Sequence, residues 1–418
     1  MDPAIVSFIV IASVIGASLG TFTGLMPGIH VNTLASVMLI SYPSMESMLS
    51  GLVEAEYVSV LVCACIMSAS VVHSFVDFVP TVFIGAPDAE DAVSILPGHR
   101  MVLQGRGMAA VRAAAIGSLV GCSAAIILSV PIQYVMMGGV EEVMDRITPL
   151  VLIVASSILI LNEGEKGNLM WGAVCFALSG AVGMMCMHMP ISSNGILGEG
   201  TLMFPMLTGL FGIPVLIEAS SGSGIPPQHD DGSDPVGIVP GIKGVVTGCI
   251  AGWFPGITST VGASMSACFM PENRPERFIS TVASVGTVTS VLSLVTLSVS
   301  GSGRSGTAIV IGDILGDGLN GFMSEPFLML LMATAVASVL GYGLTLWSGR
   351  LMSSFVSRID EKRMNRAVLV LLLVLVTATT GLSGLLVLAG SVAVGLIPNA
   401  CGTGRTVLCG CLILPVLL

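Results

Sequence analysis

The chain has 418 residues, of which 54% are hydrophobic and 10% charged, and a mean hydropathy of +0.97, against roughly 25% charged residues in an ordinary soluble domain. Such a composition excludes a water-soluble globular domain, and the formal net charge of −10 argues against nucleic acid as a partner. Lipid then dictates the core: every spanning backbone group needs an internal partner, which leaves helices or a closed barrel.

In chain order, the N-terminal stretch MDPAIVSFIV lacks the basic segment and small-residue cleavage site of a secretory signal, so its apolar run is expected to stay as a span. That run, AIVSFIVIASVIGASLG, and the later AVLVLLLVLVTATTGLSGLLVLAGSVAVGLI are uniformly apolar rather than alternating, which selects helices over a barrel. Measured against the roughly 20 residues needed to span, apolar runs occupy 4–26, 29–42, 57–76, 107–137, 147–161, 167–189 and 201–217. Further on they occupy 238–254, 257–270, 278–299, 322–348, 367–380, 382–397 and 403–418. Several are too short or too broken to cross alone, and the length rule gives about 10 to 12 spans plus re-entrant pieces. The polar stretch EASSGSGIPPQHDDGSDPVG reads as a linker. It divides the chain into membrane repeats 1–217 and 238–418 around residues 218–237. The ten cysteines lie in or near apolar runs without a C-x-x-C pair, and read as small hydrophobes rather than metal ligands.

The halves correspond. GTFTGLMPGIHVNT, Gly20 to Thr33, returns 228 positions later as GCIAGWFPGITSTV, Gly248 to Val261. TVFIGAPDAEDAVSIL, residues 81–96, can be laid on TLSVSGSGRSGTAIVI, residues 296–311. Charge indicates how the copies face. The first half continues with Arg100, Arg106 and Arg112 and no acid, whereas its counterpart carries Asp313, Asp317 and Glu325 and no base. One helix later the signs swap: the first half has Glu141, Glu142 and Asp145 beside Arg146, while the second has Arg350, Arg358, Lys362, Arg363 and Arg366 against two acids, Asp360 and Glu361. Short basic loops prefer the cytoplasm, so equivalent loops are expected on opposite sides. The expected fold is an all-α polytopic membrane protein, an inverted-topology duplicated helical bundle with broken or re-entrant helices.

Gly/Pro-interrupted segments at corresponding positions of inverted repeats point to a binding site at the membrane midplane. Pro27 and Pro255 remove a backbone donor, and Gly28 and Gly256 let the chain turn. The half-helix that follows directs free N–H groups and a positive dipole end inward, where an anion can bind. His30, Asn32 and Thr33 after one break, and Thr258, Ser259 and Thr260 after the other, are the candidate ligand contacts. The second irregular element of each half adds Ser302 and Arg304 as substrate contacts and Asp88, Glu90 and Asp91 as coupling-ion candidates, since ionisable residues within a membrane are functional hypotheses by default. His73, Asp77 and His188 read as interfacial or internally paired.

At these residues the chain resembles the large permease subunit of the tripartite tricarboxylate transporter family, through GTFTGLMPGIHVNT, PTVFIGAPDAEDA, PGHRMVLQGRGMAAVRAAAIGS and AGWFPGITSTVGAS. The resemblance runs over most of the chain. It implies a duplicated helical bundle that imports carboxylates on an ion gradient, with a small membrane subunit and an extracytoplasmic binding protein as partners. Members of that family usually carry Pro-Gly pairs where this chain has GAPDAED and GSGRSG.

The function expected is a secondary-active transporter for a small organic anion, a carboxylate, coupled to Na+ or H+ by alternating access, multi-pass in the plasma membrane, with no other cofactor and no metal site. A homo-oligomer is compatible with this reading. The alternatives are an intramembrane enzyme, since GRSG at 303–306 matches the G-x-S-G of rhomboid-type serine proteases, and a non-transporting scaffold subunit. The protease reading lacks a histidine beyond residue 229, and no H-E-x-x-H occurs.

Overall fold

The structure is a computed structural model. It describes residues 3–26, 31–51, 53–85, 95–165, 167–188, 194–195, 198–199, 202–219, 226–230, 232, 236–253, 259–270, 272–301, 303, 305–356 and 361–418. The first half contributes α1 (Pro3–Leu25), α2 (Val31–Leu49), α3 (Ala55–Val76), α4 (Phe78–Ile84), α5 (Ile95–Leu103), α6 (Gly107–Val135), α7 (Glu141–Glu165) and α8 (Leu169–His188). A two-residue pair, β1 (Asn194–Gly195) antiparallel to β2 (Gly198–Glu199), precedes α9 (Met203–Leu207), a π-turn over Thr208–Gly212 and α10 (Ile213–Ala219). The second half contributes α11 (Val239–Trp253), α12 (Ser259–Phe269), α13 (Pro275–Ser300), α14 (Gly306–Leu315), α15 (Glu325–Val356), α16 (Glu361–Cys401) and α17 (Gly410–Leu417).

Among the described residues, 8 helices are long and apolar enough to cross a membrane. This is the all-α polytopic membrane protein that the composition called for. The number compares with the 10 to 12 spans expected from sequence because α2, α11 and α12, with 19, 15 and 11 residues, are not among the eight. The runs 367–380 and 382–397 also join in one element, α16, kinked at Gly381 with φ 64°.

Why the bundle packs this way is written in its small residues. Gly16 and Gly20 on α1 face α3 so closely that a Cβ would lie 2.2 Å from the Cys65 carbonyl and 2.3 Å from that of Ala69. Gly244 and Gly248, again 228 positions on, put α11 against α13 in the same manner, at 2.4 Å from the Thr281 carbonyl and 2.7 Å from the Val288 Cβ. With no water to expel, helices in lipid associate through such backbone approach and through hydrogen bonds. The hydroxyls of α13 supply the bonds: Thr281 donates to Pro240 O at 3.1 Å, Ser284 to Gly241 O at 2.7 Å and Thr287 to Ser118 O at 3.1 Å.

Helices α3 and α13 form the centre. The most apolar stretch of the α3–α4 span is 94% buried and that of α13 83%, whereas α7, α8 and α16, at 28–33%, present their sides to lipid. α3 packs along α15, and α13 along α6. The two central helices run antiparallel, because Ser74 lies 3.5 Å from Ser290 while Ser70 reaches the group around Ser293, one turn in the other direction on each helix. The molecule therefore has two distinct ends. Arg106 at the start of α6 pairs with Glu276 at the start of α13 at the basic end. At the other, acidic end, Gln133 near the end of α6 donates to Ser298 at 2.9 Å and to Gly321 O at 3.3 Å. Asp313 and Asp317 are exposed close by.

Candidate functional site

The described part of the interrupted segments meets deep in the bundle. α14 does not continue from α13 but starts beside its middle: its N-cap, Ser305, lies 3.2 Å from Ser293, and its later Gly312 packs on Leu297. Ser305 adopts extended φ/ψ of −131° and 158°, and its hydroxyl accepts from Ala308 N at 3.1 Å, as an N-cap does. Asn32, one residue into α2, reaches across from the first half, and its Oδ1 accepts from Thr307 N at 3.0 Å. The Thr307 hydroxyl lies 3.0 Å from that of Ser305 and 3.5 Å from that of Ser70.

Two helix N-termini, one from each half, therefore begin side by side among neutral side chains. Their positive dipole ends converge there, with Thr307 N and Ala308 N capped by Asn32 and Ser305. Gly306 makes the approach possible, since a Cβ there would lie 2.6 Å from Asn32 Cγ. One turn below, the His73 ring nitrogen Nδ1 is 3.0 Å from the Thr23 hydroxyl in a buried contact between α1 and α3. His73 is thus internally paired, while His188 is exposed.

Of the residues singled out by sequence, Asn32 is brought into this group. Ser259 and Thr260 are buried at the start of α12, which packs among α7, α11, α13 and the turn Arg405–Cys409. The two copies share one local device: Ser36 donates to Asn32 O at 3.0 Å, and Ser264, again 228 positions on, donates to Thr260 O at 2.9 Å. They differ in surroundings, since Ser264 is buried and also lies 2.8 Å from Cys409 Sγ. Thr33 lies in the first turn of α2. Pro27, Gly28, His30, Asp88, Glu90, Asp91, Pro255, Gly256, Thr258, Ser302 and Arg304 lie outside the described residues. Sequence reasoning passed over Ser70, Ser74, Ser290, Ser293, Ser305 and Thr307. The four-residue spacing of Ser70 and Ser74 on a central helix was the available signal.

The linker offers a second meeting of the halves. At the basic end, residues 226–230 lie against the α5–α6 turn. Gln228 accepts from Gly107 N at 2.8 Å and donates to Val102 O at 2.9 Å, and His229 N donates to Gly105 O at 2.9 Å. Asp230 then pairs with Arg112 of α6 and, at 3.3 Å, with Arg350 of α15. Burial pushes its carboxyl up, but the hydrogen bonds from Arg112, Gly232 N and Arg350, with the Arg112 charge, outweigh burial and hold it below the ordinary 3.8. Glu276 takes Arg106 and Arg274, and Glu272 takes Lys243 at 2.5 Å and Arg277 at 2.9 Å. The stretch 218–237 is a strap over at least part of its length rather than a plain tether.

At the acidic end a cavity of about 260 Å³ opens between α13 and α14, lined by Leu297, Gly301, Gly303, Ile309, Gly312 and Asp313 among others. It approaches the Ser305 group from that side, since Gly303 and Ile309 belong to its wall.

Among the described residues, Ser305 has as hydrogen-bond partners Ser293, Thr307 and the Ala308 amide. No group of three or more His, Cys, Asp or Glu fit to hold a metal occurs among the described residues. Apolar spans, interrupted helices and buried neutral hydroxyls define a multi-pass membrane protein. Residues 10–410 match the model of the Tripartite tricarboxylate transporter TctA family, and the chain belongs to that family. It is 27% identical over 336 residues to the "Uncharacterized protein MJ1079" of Methanocaldococcus jannaschii, covering 78% of this chain and 77% of that one. No solved structure matches. The family resemblance read from the Pro-Gly segments is thereby confirmed. Membership makes the chain a component of a tripartite tricarboxylate transporter, a system that works with partner subunits.

Proposed function

We propose that this chain is the permease proper: a secondary-active carrier of a small organic anion, a carboxylate, driven by a Na+ or H+ gradient through alternating access. The observation that carries this reading is the meeting of α2 and α14, one helix from each half, at half-buried N-termini beside Asn32, Ser305 and Thr307. Converging N–H groups and dipole ends favour an anion there. The other candidate residues of the same segments, Pro27, Gly28, His30, Ser302 and Arg304, complete the substrate contacts. Thr33 and the second copy, Pro255, Gly256, Thr258, Ser259 and Thr260, furnish the corresponding surface, and Asp88, Glu90 and Asp91 hold the coupling cation.

The halves 1–217 and 238–418, joined through 218–237, act as an inverted repeat. Three features support this: antiparallel α3 and α13, glycine contacts repeated 228 positions apart, and basic and acidic loops gathered at opposite ends. Basic loops face the cytoplasm, which places Arg112 and Arg350 inside and Asp313 and Asp317 outside, in a plasma membrane. The central α3, α6, α13 and α15 form the frame against which the segments carrying the helix N-termini move. A small membrane subunit and an extracytoplasmic binding protein complete the system, the latter raising local substrate concentration at the acidic end.

Calorimetry on the purified chain with di- and tricarboxylates, in sodium and in potassium and at two pH values, tests the assignment. Carboxylate binding that changes with the cation or with pH is expected. Absence of binding in every condition, with or without partner subunits added, would overturn it.

A further inference from the structure

The short helices α5 and α14 occupy equivalent places in the two halves, since residues 81–96 can be laid on 296–311. Each runs into a long helix, α6 or α15, through a turn, and one glutamine side chain grips each turn. At the α5–α6 turn it is Gln228 of the strap, on Gly107 N and Val102 O. At the α14–α15 turn, residues 316–324, it is the buried Gln133 of α6. Its Oε1 accepts from Met323 N at 3.1 Å, and its Nε2 donates to Gly321 O at 3.3 Å and to the Ser298 hydroxyl of α13 at 2.9 Å. One side chain thus ties α6, α13 and the turn together.

The tie holds a backbone that the turn would not keep alone. Met323, with φ 53°, is the one left-handed residue other than glycine among the described residues, a conformation that an ordinary side chain disfavours. Its N–H bond to Gln133 offsets that strain. Where the turn joins α14 stands Gly316, with φ 50° and ψ −131°, and a Cβ there would meet nothing within 4 Å. Glycine is needed at this joint for its backbone and not for packing. Beside α14 lies the cavity of about 260 Å³, with Gly312, Asp313 and Gly316 in its wall. α14 therefore has an anchored end, a glycine joint and open space along one side.

We propose that Gln133 is the fulcrum of α14: a positioning residue that pins the α14–α15 turn to α6 and α13, so that α14 swings about Gly316 towards α13 while its far end stays in place. Such a swing carries the start of α14 away from α2. Its use in transport rests on the alternating-access reading; the pinned turn does not.

In a chain with the native cysteines replaced, Leu297→Cys is the reporter, because Leu297 lies in the cavity wall and is 3% exposed. The probe is a membrane-impermeant methanethiosulfonate applied at the acidic face of proteoliposomes without any substrate. Gln133→Met keeps the side-chain length and removes all three bonds. Labelling is then expected to rise about fivefold, the lower end of the factor that left-handed strain supplies. Met323→Gly alone is expected to change nothing, since glycine holds the same φ without strain, and in the double variant it should return labelling to the parent rate. No rise in Gln133→Met, or a rise that Met323→Gly leaves in place, would overturn the fulcrum. So would a parallel rise at Ser280→Cys, buried on α13 near the basic end and probed from that face, since the whole bundle would then have loosened. In the unmodified protein, backbone hydrogen exchange is expected to be slower at Met323, bonded at the anchored end, than at Thr307, bonded at the moving end. The reverse order would overturn the fulcrum even if Gln133→Met did not fold. No carboxylate is present in either measurement, so a failure of the anion assignment leaves both results standing.

Discussion

The two halves of the chain touch through polar contacts of two very different kinds. At the basic end the contact is charged: Asp230 of the linker lies between Arg112 and Arg350, and Glu276 of the second half takes Arg106 of the first. Inside the bundle the contacts are neutral: Thr307 N donates to Asn32, Thr287 donates to Ser118 O, and Ser70 and Ser74 lie against Thr307 and Ser290. The difference teaches where motion is affordable. Opening an ion pair with a buried member strands a charge, which costs several kcal/mol. Opening a hydroxyl or amide contact exchanges one partner for another, a carboxylate included.

The largest effect should therefore come from the strap. Asp230→Ala leaves Arg112, whose side chain is 9% exposed, without its carboxylate. Because Asp230 itself is 24% exposed, the expected loss is about 2–3 kcal/mol, below the full penalty for a wholly buried pair. Thermal unfolding in detergent measures it. Asn32→Ala should lower the same unfolding temperature far less, by the equivalent of about 1 kcal/mol. If the order were reversed, the strap would not be the fixed contact.

That contrast also shows what the sequence could and could not convey. The helical class, the Pro-Gly copies and the opposite charges of equivalent loops were legible because each is a local pattern with a single physical meaning. The glycine stripes Gly16–Gly20 and Gly244–Gly248 obey the same offset and were overlooked; small residues carry no chemistry until a partner helix is known. The strap was hidden for a different reason. PPQHD has the composition of a loose linker, and only the fold shows that Gln228 and Asp230 face the α5–α6 turn and α15. Asn32 was picked out as polar and close to a break. Its partner at Thr307 could not be inferred, since pairing across 275 residues depends on tertiary packing alone.

The smallest effect concerns pH. The Asp230 carboxyl is held below its ordinary 3.8, so the strap contributes stability that is fully present above that value and lost as pH falls through the lower folded value. Unfolding temperatures of wild type and Asp230→Ala should then differ by a constant amount between about pH 5 and 8 and converge only in stronger acid. A difference that shrank between pH 8 and pH 5 would assign the strap to another titrating group.

The most direct test is a pair of distances. Spin labels placed on α2 and α14, flanking Asn32 and Thr307, and a second pair placed at His229 and on α15 near Arg350, report the two contacts separately in the same reconstituted protein. When a carboxylate and the coupling cation are added, the first distance is predicted to lengthen or split into two populations while the second stays within its original width. A strap distance that changes while the α2–α14 distance holds would contradict the account, because the halves would then part where the charges are and not where the helices begin.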